Sequence, residues 1–181
     1  METTKNEMPP YAKNFYNKLS SYLDTKIYFY GSIQRYDYFP KYSDIDADIF
    51  TDNEMSTISQ IAHFLEIKKS EFRKFIYNLH KTNKVVYGYK VKYEDPANNF
   101  TTEISVYNEK DKEAVLLEHR SKCNIPFYVT FFLIILKFFY YNLGLVPKNI
   151  YRDIKNWIMS YVIEGKDCEF IVIEMPSDKE E

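Results

Sequence analysis

Between positions 44 and 50 the chain reads Asp-Ile-Asp-Ala-Asp-Ile-Phe. A strict alternation of this kind fits an extended strand, in which successive side chains point to opposite faces. Asp44, Asp46 and Asp48 then share one face, and Ile45, Ala47 and Ile49 share the other. The apolar face requires a core beneath it. The acidic face cannot be buried in the same way, because neighbouring carboxylates repel one another unless a positive charge sits between them. The strand therefore points its apolar residues into a core and gathers its carboxylates on the other face. A divalent cation is the usual counter-charge, and an all-oxygen donor set suits Mg²⁺.

The residues upstream fit the same picture. An apolar strand, 27–30, runs directly into Gly31-Ser32, and eleven residues separate Ser32 from Asp44. A short helix over 32–36 would present free N–H groups and positive dipole to an anion, and 37–42, with Pro40, reads as a loop.

Apolar periodicity organises the rest. Pro9-Pro10 open a helix carrying Tyr11, Phe15, Leu19, Tyr22 and Leu23. Asp52 or Asn53 caps a second helix with Ile58, Ile61, Phe64 and Leu65, and Ser70 caps a third with Phe72, Phe75, Ile76 and Leu79. Residues 84–93 and 101–107 alternate as strands around the turn 95–99 and are expected to form a hairpin. In the returning strand Thr101, Glu103 and Ser105 share one face. Helices are expected over 111–120, 125–146 and 151–163, the last with Ile154, Trp157, Ile158, Tyr161 and Val162 inward, followed by a short strand over 169–175. The expected fold class is α/β (α+β), a mixed sheet flanked by helices with a helical C-terminal extension. The expected division is a core over 1–122, a helical subdomain over 123–175 and a disordered tail over 176–181.

Composition bounds the function. The chain has 181 residues, 18 of them Tyr and 14 Phe, and a net charge of −2, which supports a sizeable core and gives none of the basic bias of a dedicated nucleic-acid binder. Positive charge is local: residues 66–92 hold eight Lys or Arg and two acids, either a phosphate-facing patch or a solvated face. His63, His80 and His119 are scattered and receive no metal role. Cys123 and Cys168 stand far apart, as reduced thiols do, and the polar start METTKNEMPP lacks a secretory h-region, so a cytoplasmic location is expected. The apolar run 125–146 approaches the length of a membrane span, but Lys137 interrupts it and no basic flank orients it. A buried helix, capped by Gly144 and with no membrane involvement, is expected instead.

Gly31-Ser32, the spacer of eleven and Asp44-Ile45-Asp46 together resemble the signature of the DNA polymerase beta-type nucleotidyltransferase superfamily, in which a strand ends in Gly-Ser and is followed by Asp-hydrophobic-Asp. Ser43 and Arg35 also match common versions of the pattern. The resemblance implies a nucleotidyltransferase core with Asp44 and Asp46 as ligands of two Mg²⁺ or Mn²⁺ ions, and a third carboxylate on a neighbouring strand. Glu103 is the expected third ligand, and Asp48, on the same strand as the pair, is the competitor. The resemblance further implies that Gly31, Ser32, Arg35 and Ser43 serve the nucleotide, ATP being one candidate. Lys137 lies in a helix similar to one that binds the triphosphate in template-independent members, although a surface lysine is an equal reading. The implied reaction transfers a nucleoside monophosphate from an NTP to an acceptor hydroxyl with release of pyrophosphate. RNA 3′ ends, proteins and small molecules are the candidate acceptors, and the lack of a glycine-bearing helix-hairpin-helix argues against duplex DNA. A non-catalytic nucleotide- or partner-binding member is the alternative.

Overall fold

The computed structural model describes residues 2–160 and the backbone of 171–173. The expectations for the tail, for Tyr161, Val162 and Cys168, and for the strand beyond 171–173 fall outside the described residues. The elements run α1 (Pro10–Leu23), β1 (Ile27–Tyr30), β2 (Ile45–Thr51), α2 (Glu54–Leu65), β3 (Arg73–Leu79), β4 (Lys84–Asp95), β5 (Phe100–Asn108), α3 (Lys112–Cys123), α4 (Phe127–Tyr141), α5 (Lys148–Ser160) and β6 (Ile171–Ile173).

The sheet has six strands in the order β1-β2-β5-β4-β3-β6. β2 and β5 pair in parallel, and every other neighbouring pair is antiparallel. The fold is thus the expected mixed α+β sheet with a helical C-terminal part, and β4 and β5 form the expected hairpin.

One face of the sheet is closed by α1 and α2. Ile27, Ile45, Ala47, Ile49, Ile104 and Val106 pack there against Phe15, Tyr16 and Leu19 of α1 and Ile58 and Ile61 of α2. Pro10 suits the first turn of α1, where its missing N–H costs nothing. The Asn53 side chain caps α2 by accepting from the Ser56 N–H at 3.1 Å. On the opposite face α3 covers a smaller core of Phe50, Phe75, Tyr77, Leu79 and Tyr107. The face that carries the acidic residues is therefore half covered, by α3 at one end and by the C-terminal helices at the other.

Three expectations are corrected. Residues 73–79 form a strand, not the expected helix, and its buried residues are Phe75, Tyr77 and Leu79. The positions 72, 75, 76 and 79 fit a helical stripe only if Tyr77 is treated as polar, yet Tyr77 is 1% exposed. β4 supplies the partner that a single segment cannot show, pairing Phe75 with Gly88 and Tyr77 with Val86. Second, α4 is buried on one side only, through Val129, Thr130, Leu133, Leu136 and Lys137, while its other side carries exposed aromatic rings. Past the α4 cap at Asn142, Gly144 adopts φ +63. Third, Ile154 and Trp157 of α5 face outward, and the less exposed residues are Tyr151, Lys155, Ile158 and Met159. Among the described residues no helix is long and apolar enough to cross a membrane.

Candidate active site

The site begins where β1 stops. Gly31 takes φ +70, and a Cβ built on it would lie 2.0 Å from Asp46 Oδ2. Both facts exclude a side chain, the first through backbone sterics and the second through direct overlap. The chain then turns through a 3-10 segment, Gly31–Gln34. Gly31→Ala is expected to abolish the nucleotidyl transfer that the resemblance implies, while leaving the α1 and α2 core intact. Assay of the variant beside its circular dichroism spectrum checks this, and an active, folded variant would show that the close approach is dispensable.

Asp46 sits on β2 directly across from Glu103 on β5. The strand ends that carry this pair are fixed from the reverse face, where Tyr16 shares a 2.6 Å hydrogen bond with Thr102 Oγ1 and lies 3.3 Å from the Ile45 carbonyl. The Asp46 carboxyl is pushed up to about 7, first by burial and then by the charge of Glu103, with Asp44 adding to it and Lys155 opposing. A site that raises a carboxyl in this way is relieved by a proton or by a cation. Glu103 is turned toward β4, where Lys90 Nζ lies 3.3 and 3.4 Å from its two oxygens. Among the described residues no three acidic, histidine or cysteine side chains converge into a ready cation cage. The donor set of Asp44, Asp46 and Glu103 is all oxygen, which fits Mg²⁺ or Mn²⁺.

Asp48, the competing third acid, lies elsewhere. It is 1% exposed, and its Oδ2 is 3.0 Å from His119 Nε2 of α3, close enough for an ion pair but without hydrogen-bond alignment. Burial raises its carboxyl and His119 opposes the rise. Tyr30 stacks on the His119 ring at 4.0 Å. His119, for which no metal role is expected, thus ties α3 to β2.

An open cleft of about 840 Å³ lies over the acidic end of the sheet, lined by Gly31, Ser32, Arg35, Ser43, Asp44, Asp46 and Lys137 together with Lys92 and residues of α4 and α5. All the nucleotide-side residues expected from the sequence therefore line one cleft, while Glu103, beside Asp46 on β5, is not among its lining residues. Of the basic stretch 66–92, Lys92 alone lines the cleft, paired with Glu94 at 2.6 Å. Ser43 also holds the preceding loop, its Oγ accepting from the Phe39 N–H at 3.1 Å.

The sequence reading missed three components. The first is Asp37. Arg35 grips it with Nε and one terminal nitrogen at 2.8 and 3.1 Å, and Lys137 Nζ reaches its carboxylate at 2.9 Å and its carbonyl at 2.6 Å. Burial alone would raise the Asp37 carboxyl, but the two cations overcome it and hold it at about 2. Lys137 has found its anion inside the chain. The second is a basic stripe on α5, Lys148, Arg152 and Lys155, at helical spacing along the cleft. The third is a set of tyrosines: Tyr42 stacks on Tyr141 at 5.0 Å, and Tyr140 on Tyr151 at 4.2 Å. The spacing of the α5 cations was the available signal for the second. Nothing local marks Asp37 except its place two residues after Arg35.

A strand running into Gly-Ser with an Asp-Ile-Asp strand beside it is the arrangement that the resemblance to nucleotidyltransferases implies. Residues 12–118, more than half of the chain, match the family model described as a nucleotidyltransferase domain, and the chain belongs to that family. No curated protein and no solved structure matches it.

Proposed function

We propose that the chain is an active nucleotidyltransferase that moves a nucleoside monophosphate from an NTP to an acceptor hydroxyl. The observation that carries this reading is the meeting, in one cleft, of Gly31-Ser32 and the Asp44/Asp46 pair with the cations of α5. In the reaction the acceptor oxygen attacks the α-phosphorus, the bond from that phosphorus to the bridging oxygen breaks, and pyrophosphate leaves. Asp44, Asp46 and Glu103 would hold two Mg²⁺ or Mn²⁺ ions. Bound there, such ions lower the pKa of the attacking hydroxyl and stabilise the leaving oxygen.

The chain's own residues do the positioning. Gly31 lets the backbone approach the phosphates and Ser32 offers a hydroxyl. Lys155, Lys148 and Arg152 offset the charge of the β- and γ-phosphates. Arg35 and Lys137, both occupied by Asp37, fix the wall to which the phosphates dock. The tyrosine faces offer a stacking surface for the nucleobase. RNA ends, protein hydroxyls and small hydroxylated molecules remain the candidate acceptors. The Glu103–Lys90 ion pair favours the second reading, a nucleotide-binding member without activity, because it occupies the third carboxylate.

One experiment separates the two. The protein is incubated with Mg²⁺ or Mn²⁺ and each labelled NTP, with RNA, protein and small-molecule acceptors offered in turn. Incorporation with pyrophosphate release is expected, and silence with every combination leaves the binding reading. Divalent metal alone should also raise the melting temperature, since it binds the folded state. Asp44→Asn combined with Asp46→Asn should erase that rise, and an undiminished rise would remove the proposed metal site.

A further inference from the structure

The side of α4 that faces away from the cleft carries Phe127, Tyr128, Phe131, Phe132, Phe138 and Phe139, exposed by between 40% and 85%. At 100° per residue these six fall within one arc of roughly 140°. The buried residues Val129, Thr130, Leu133, Leu136 and Lys137 occupy the opposite arc. Among the described residues the six make ring contacts between chain neighbours, Phe127–Tyr128, Phe131–Phe132 and Phe138–Phe139. Together they expose the equivalent of about three whole aromatic side chains, roughly 500–800 Å². A patch of that size is rare on a monomer.

We infer that this face is a homodimer seam, occupied by α4 of a second copy of the chain. The exposed area approaches the roughly 800 Å² per partner of a standard interface. The pattern 128, 131/132, 135, 138/139 repeats about every 3.5 residues, the period of two helices packed along their length. The face bears no charge, so two identical copies meet without repulsion, as an isologous two-fold contact requires. A lipid surface is the less suitable occupant, because this face has none of the Lys or Arg with which interfacial helices engage headgroups. Because Lys137, Tyr140 and Tyr141 of the same helix line the cleft, the seam braces the cleft wall from behind.

The test measures the mass of the purified full chain by sedimentation. A dimer is expected for the wild type, and half that mass for Phe131→Glu combined with Phe138→Glu, with an unchanged circular dichroism spectrum. A wild-type monomer at every concentration, a variant that stays dimeric, or co-sedimentation of the wild type with phosphatidylcholine vesicles would each overturn the inference. Should the double variant fail to fold, Ile135→Cys replaces it. In a two-fold seam the middle of α4 meets itself, so mild oxidation is expected to cross-link two copies beyond the wild-type background, and no added cross-link overturns the proposal.

Discussion

Glu103→Gln is expected to lower nucleotidyl transfer by on the order of 10²–10³-fold, the scale of losing one fixed electrostatic contact to developing charge, while the protein stays folded. The substitution keeps size and shape and removes one charge. Glu103 is the lateral neighbour of Asp46 across the parallel pair, the position from which the proposed third ligand would act. Its ion pair with Lys90 is partly exposed to solvent, which weakens it. Asp48→Asn is expected to spare transfer, because Asp48 faces His119 beneath α3 and not the cleft. Pyrophosphate release measured for both variants beside their melting curves checks the ranking. An active Glu103→Gln with a dead but folded Asp48→Asn would reverse the assignment of the third acid.

Asp37→Ala carries the largest expected cost in stability, about 3–5 kcal/mol, the range for leaving buried charge without its partner. Two cations depend on this one carboxylate, and its side chain is fully buried between them. Replacing Arg35, Asp37 and Lys137 together by apolar residues of similar volume should cost far less, since no charge then remains unpaired. The pH dependence follows from the depressed carboxyl. Asp37 falls from its ordinary 3.8 to about 2, so between these values the unfolded chain binds more protons than the folded one. The stability it contributes is complete above roughly pH 4 and lost as pH falls toward 2. Denaturant titrations of wild type and Asp37→Asn at descending pH should therefore converge on the acid side, and parallel curves would contradict the assignment.

The legible parts of this molecule are those where local pattern and tertiary environment agree. The alternation at 44–50 announces one apolar and one acidic face; the structure buries the apolar face and also covers the far end of the acidic one, where Asp48 is 1% exposed. The hairpin of β4 and β5 announces itself by turn residues, with Asp95 accepting from the Ala97 and Asn98 N–H groups. The failures are residues whose meaning depends on a distant partner. Tyr77 reads as polar until β4 and α3 enclose it. Lys137 lines the cleft, but its pairing with Asp37, a hundred residues earlier, has no local mark in the sequence. The outward side of α4 reads as core because aromatic residues ordinarily belong there. Gly31, Ser32, Asp44 and Asp46, singled out by spacing, all line the cleft, whereas the α5 stripe lies in a helix expected with another face inward.

The parallel pairing of β2 with β5 has a consequence for the chain during its synthesis. Asp46 and Glu103 come from strands separated by α2 and the whole of β3 and β4. Pairings that distant in sequence must bear loop closure before any contact rewards it, so they form late. A nascent chain that has emerged only through β4 holds Asp44 and Asp46 without Glu103, the proposed third carboxylate. Completion of the acidic set is thus tied to the emergence of β5 from the ribosome, and a truncation before Phe100 yields a Gly-Ser strand and an Asp-Ile-Asp strand with no means of assembling the site.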